Sequence, residues 1–100
     1  MTYKTTNFRS DALKRAVASL PCQACGREGM TQAAHNNQIA DGKGMGMKSH
    51  DYTLMALCTT CHAGLDQGGK MTKAERISWE NELNLKTLRR LVADGLLVVA

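Results

Sequence analysis

Four cysteines in two identical pairs, Cys22-Gln23-Ala24-Cys25 and Cys58-Thr59-Thr60-Cys61, constrain this chain more than any other feature. A C-x-x-C turn lets two thiolates converge on one tetrahedral ion, and two such turns brought together complete an all-sulfur zinc site with bonds of about 2.3 Å. Gly26 fits such a knuckle, because the residue after the second cysteine often needs positive φ to turn backbone N–H groups toward the sulfurs. Two alternatives compete. Disulfides call for an oxidising compartment, and the segment Met1 to Thr6 carries no apolar signal region behind its charge. A thioredoxin-like redox pair opens a long helix after a βα pattern, which neither pair is expected to do. The spacing therefore predicts Cys22, Cys25, Cys58 and Cys61 as the ligands of one structural zinc. A closed site of this kind has no position for water or substrate, so any chemistry lies elsewhere.

The chain's size makes that staple matter. One hundred residues form a single domain, 1–100, and a core this small yields roughly 3–5 kcal/mol, against about 10–16 kcal/mol for a structural zinc. Thirteen Lys+Arg against nine Asp+Glu leave a net charge of +4, which favours an anionic partner. The longest apolar run, Leu96 to Ala100, is far too short to span a bilayer, so no membrane is expected and the expected location is the cytoplasm.

Local signals place the elements around the cysteines. Ser10 reads as the N-cap of a short helix with Leu13, Ala16, Val17 and Leu20 on one face, Lys14 and Arg15 on the other, and Pro21 as its stop. Thr31 to Asn36 and Asp51 to Leu57 read as the strands of a β-hairpin. Between them, Asp41-Gly42-Lys43-Gly44-Met45-Gly46-Met47-Lys48 lacks the Gly-Lys-Ser/Thr ending and following helix of a phosphate loop, which excludes a nucleotide site. Lys43 and Lys48 remain available to backbone phosphates, while Met45 and Met47 read as packing residues. A turn or two of helix is expected from His62 to Asp66, stopped by Gly68-Gly69. A long helix over about 72–94 then opens on a Thr72/Glu75 capping box, with Ile77, Leu83, Leu88, Leu91 and Val92 as its apolar stripe and Gly95 as its end. Lys70, Lys73 and Arg76 make its start basic and are further candidates for nucleic-acid contact; Trp79 reads either as a base-stacking residue or as a core plug.

The three histidines fall within the cysteine-bounded region or at its edge: His35 in the first expected strand, His50 before the second, and His62 directly after Cys61. If one zinc ties the cysteine pairs together, His35 and His62 are tethered near each other. Two imidazoles suit phosphodiester hydrolysis, which needs a base for the attacking water and a cation for the charge that builds on the phosphate. His62 and His50 also have plainer explanations, as a helix-start hydrogen bonder and as a solvated loop residue, while Asp51 reads equally as the cap of a turn.

The order C-x-x-C, Ala34-His35-Asn36, Gly44-Met45-Gly46-Met47-Lys48, Asp51-Tyr52 and Leu57-Cys58-Thr59-Thr60-Cys61-His62 resembles the HNH, or ββα-metal, endonucleases, in particular small phage and prophage nucleases of the YbcO-like kind. The resemblance spans about half the chain. It implies an α+β fold with a small zinc-stabilised ββα-metal core over about 21–69, flanked by N-terminal and C-terminal helices. It further implies a DNA endonuclease active in phage or prophage recombination or processing, with His35 as general base and His62 as ligand of a catalytic Mg²⁺ or Mn²⁺. Two positions depart from the pattern: Ala34 stands where many members carry an Asp or His ligand, and the middle asparagine is missing, with Thr53 near its place. Asp51 or His50 would supply a replacement ligand, and Asn36 would orient the base. The alternative is a non-catalytic zinc ribbon that binds DNA or protein. A homodimer through a strand at Leu96–Val99 competes with packing of those residues on their own chain.

Overall fold

The structure, a computed structural model, describes residues 7–36, 38, 49–67 and 71–99. Helix α1 (Asp11–Ala18) starts where the Ser10 side chain accepts from Leu13 N–H and fades over Ser19-Leu20 ahead of Pro21. Strand β1 (Thr31–Ala34) pairs antiparallel with β2 (Met55–Cys58), Thr31 opposite Cys58 and Ala34 opposite Met55. Helix α2 (Thr59–Gln67) follows β2 without a break, and α3 (Lys73–Ala93) closes the chain. The described residues thus form an α+β fold of three helices and a two-stranded sheet.

Both strands are shorter than the sequence suggests, and the second differs in kind at its start. Asp51–Thr53 coil into a 3-10 turn, with Thr53 N–H and Oγ1 both donating to the His50 carbonyl. The cause is Asp51, whose side chain is drawn inward onto the start of α1, a contact no alternation rule registers. Helix α2 begins at Thr59 rather than His62, which places Cys61 as well as His62 in its first turns.

β2 is buried on both faces and so separates two cores. Met55, Leu57 and Cys58 pack with Ala34, Cys22, Leu65 of α2 and Leu83 of α3. Leu54 and Ala56 pack instead with Val17 and Leu20 of the α1 region and Leu91 of α3. Helix α3 supports both, starting from the Thr72/Glu75 capping box and ending before Gly95, whose φ of 73° glycine adopts without strain. Ile77 and Leu88 are half-buried on its inner side, but Val92 is exposed. Leu97 returns to the second core, while Val98 and Val99 point to solvent and form no strand.

Thr87 joins α3 to the sheet. Fully buried, its Oγ1 donates to the Leu83 carbonyl at 2.8 Å and accepts from Ala56 N–H at 3.0 Å. Thr87→Val keeps the shape but orphans a buried backbone N–H, so it should cost about 1–3 kcal/mol in urea unfolding of the zinc-loaded protein. No helix among the described residues is long and apolar enough to cross a membrane.

Candidate metal centre and histidine site

Two knuckles and the ββα junction bring the cysteines together. In the first, Gly26 at φ 83° closes the turn, Gly26 N–H donates to the Cys22 carbonyl, Cys22 N–H to the Arg27 carbonyl, and Ala24 N–H points at Cys22 Sγ from 3.4 Å. Gln23 N–H donates to the Ala56 carbonyl and so stitches this turn to β2. In the second, Cys58 ends the strand and Cys61 lies on α2, with Cys61 N–H 3.5 Å from Cys58 Sγ. The sulfurs of Cys22, Cys25, Cys58 and Cys61 all lie within 4.8 Å of one another.

The donor set fits zinc. Cys25 and Cys58 sulfurs are 3.7 Å apart, far beyond a disulfide bond of about 2.05 Å and close to the edge of about 3.8 Å of a tetrahedron with Zn–S bonds of about 2.3 Å. All four cysteines are free thiols in this structure. Their electrostatics carry the same message. Burial pushes the Cys22 thiol up, yet hydrogen bonds from the backbone at Cys58, Cys25 and Ala24 and from the Cys25 thiol outweigh it and bring it down to about 6. The Cys61 N–H lowers Cys58, whereas burial and the neighbouring thiols raise Cys61. Four sulfurs crowded together cannot all ionise alone, and a dication at their centre removes that conflict.

His35 leaves the end of β1 and meets Asp51, Nε2 to Oδ1 at 2.7 Å. The Asp51 side chain is fully buried; Oδ1 also accepts from Arg9 Nη1 at 3.2 Å, and Oδ2 from Ser10 N–H at 2.7 Å. Burial raises the Asp51 pKa, but the His35 and Ser10 hydrogen bonds and the charges of His35 and Arg9 hold it below the ordinary 3.8. An ionised carboxylate only accepts, so His35 donates from Nε2, and in the neutral form of the ring the lone pair is then on Nδ1. A carboxylate held this way contributes stability in full above 3.8 and loses it as pH falls through the lower folded-state value. Asp51→Ala strands three donors and should cost about 3–5 kcal/mol at neutral pH, with a gap to the unsubstituted protein that narrows in acid; urea unfolding across a pH series reads both.

The remaining sequence candidates are placed as follows. His62 Nδ1 lies 2.8 Å from Gln32 Oε1 on β1. His50 Nδ1 accepts from Phe8 N–H at 2.9 Å, and its ring stacks on Tyr52. Asn36 is buried, with its carbonyl accepting from Ser49 Oγ, and Ala34 sits in the first core. Lys73 is exposed and Arg76 half-buried at the start of α3, and Trp79 is exposed rather than a core plug. Lys43, Met45, Met47, Lys48 and Lys70 lie outside the described residues. Arg9 and the Ser10 N–H escape sequence reasoning, since nothing local marks a contact forty residues away. Glu80 of α3, which sequence reasoning does not single out, is buried, with Oε1 accepting from Gln38 Nε2 and Oε2 unpaired among the described residues.

A catalytic divalent ion fares differently from zinc. Among the described residues the four cysteines are the one group of three or more His, Cys, Asp or Glu whose ligand atoms converge. His35, His50, Asp51 and His62 form no second such group, and the Asp51 oxygens are already engaged by three donors. These residues do not by themselves fit a second ion. Comparison with known protein families, with curated proteins and with solved structures finds no match for the chain.

Proposed function

We propose that the chain is a zinc-stapled endonuclease of the HNH kind, hydrolysing DNA phosphodiester bonds in phage or prophage DNA processing. The observation that carries this reading is the His35–Asp51 pair at the end of the first strand of an antiparallel β1–β2 unit that runs directly into α2. In the proposed reaction His35 Nδ1 takes a proton from water, the water oxygen bonds to phosphorus, and the bond to the leaving sugar oxygen breaks as that oxygen takes a proton from a solvent water, whose hydroxide is neutralised by the proton His35 releases. Asp51 fixes the tautomer and steadies the imidazolium that forms. His62 is the chain's offer to an Mg²⁺ or Mn²⁺ ion by resemblance, and metal dependence is part of the test rather than a step derived from the geometry.

The test is incubation of the purified zinc-loaded protein with supercoiled plasmid, single-stranded and branched DNA, with Mg²⁺, with Mn²⁺ and with neither. Cleavage is the expected result, and its absence on every substrate under every condition overturns the proposal. A second reading, a zinc module that binds DNA or protein without cutting, is favoured by Ala34: it is buried among apolar side chains and offers no ligand where the HNH pattern often places one. Salt-sensitive binding without cleavage selects that reading.

A further inference from the structure

Aromatic residues normally fill cores, but among the described residues neither core contains one. The chain has only one Trp, one Phe and two Tyr, and the three of these that are described, Phe8, Tyr52 and Trp79, all sit on the surface. Phe8 is 49% exposed and Tyr52 47%. These two are not scattered. The Tyr52 ring stacks on His50 with centroids 4.8 Å apart and planes 10° from parallel, and on Phe8 at 6.4 Å and 27°.

The backbone holds this ladder rigidly. Phe8 N–H donates to His50 Nδ1, Asp51 N–H donates to the Phe8 carbonyl, and Asn84 Nδ2 donates to the Tyr52 carbonyl. Asp51, between His50 and Tyr52 in sequence, is the residue that holds His35. The Arg9 guanidinium, 41% exposed at its side chain, is bound to the Phe8 carbonyl and paired with the Asp51 carboxylate, which ties the backbone at Phe8 to the same loop. Half-exposed rings fixed in place on a chain of net charge +4 match the chemistry by which proteins hold unpaired bases: exposed aromatic rings stack on bases, and cations meet phosphates. A duplex keeps its base faces stacked on each other and cannot use such a platform.

We propose that the Phe8–Tyr52–His50 ladder is a base-stacking platform that holds single-stranded DNA next to His35. The proposal rests on the nucleic-acid partner in the functional reading above, but not on cleavage. The test measures fluorescence anisotropy of a fluorescein-labelled oligo-dT strand and of a duplex of equal length with the full zinc-loaded chain, without added divalent ions. The unsubstituted protein should bind the single strand more tightly. Tyr52→Ala should weaken that binding roughly 10-fold while leaving duplex binding unchanged, Phe8→Ala should weaken it in the same direction, and Tyr52→Phe should preserve it. Both side chains are half exposed, and zinc content with circular dichroism confirms that the variants fold. Equal affinity for single strand and duplex, or an unchanged affinity in Tyr52→Ala, overturns the platform. Selective loss in Tyr52→Ala from a protein that cuts no DNA supports the platform and overturns the nuclease alone.

Discussion

Stripping the zinc should unfold the centre of this protein. The zinc-loaded chain should carry one zinc per chain and unfold cooperatively, and a strong chelator should abolish that transition and much of the helical circular dichroism. The magnitude follows from where the ligands lie. Cys22 and Cys58 are core residues as well as members of the cysteine cluster, packed with Ala34, Met55, Leu57, Leu65 and Leu83. Without the metal, closely spaced sulfurs repel as thiolates or must take up protons inside that core. Among the described residues the sheet has two strands, too few to stand alone without the packing around it. A structural zinc contributes about 10–16 kcal/mol of apparent binding free energy, more than the whole net stability of most small domains. Cys25→Ser is the sharper variant because Cys25 is exposed, so its effect reports ligation and not lost packing. It should lower zinc affinity by orders of magnitude and remove the cooperative unfolding transition as the chelator does. A zinc-free protein that melts as the loaded one does would show that the cysteine cluster is incidental.

The cysteine cluster was legible in the sequence because a tetrahedral ion imposes its geometry through local spacing, and two C-x-x-C turns carry that spacing on their face. Helix ends were legible for the same reason: Ser10, the Thr72/Glu75 box and Gly95 satisfy or release backbone groups within one turn of themselves. What was not legible depends on contacts across the chain. From sequence Asp51 reads as a strand residue, a turn cap or a replacement metal ligand, and it becomes the acceptor for His35, Arg9 and the Ser10 N–H only once α1 docks against the loop before β2. Periodicity along α3 places Leu83, Leu88 and Leu91 inward as found, but Val92, about 100° around the helix from buried Leu91, turns to solvent. Glu80 shares a turn with the inner face and is buried despite its charge, at a position any helical wheel would assign to a hydrophobe or a neutral group.

Replacing His35 should separate chemistry from architecture. Under the nuclease reading, His35→Ala removes the base and should lower the cleavage rate by about 10²–10⁴-fold. It also deprives the buried Asp51 carboxylate of its 2.7 Å donor, which should cost about 1.5–3 kcal/mol, so lost activity in this variant alone has two explanations. His35→Gln resolves them. A glutamine amide can donate N–H to Asp51 and restore most of that stability, yet it has no lone pair basic enough to take a proton from water. The expected pattern is therefore two equally inactive variants of unequal stability, both retaining zinc and single-strand binding. Asp51→Asn adds the complementary arm: its amide can donate to His35 Nε2, which moves the ring proton to Nδ1 and removes the base without removing the imidazole. Nitrogen NMR of the His35 ring reads that tautomer directly, and cleavage should fall with it. Full cleavage in His35→Ala would move the chemistry elsewhere in the chain, and an Nδ1-protonated ring in the unsubstituted protein would break the link between Asp51 and the base.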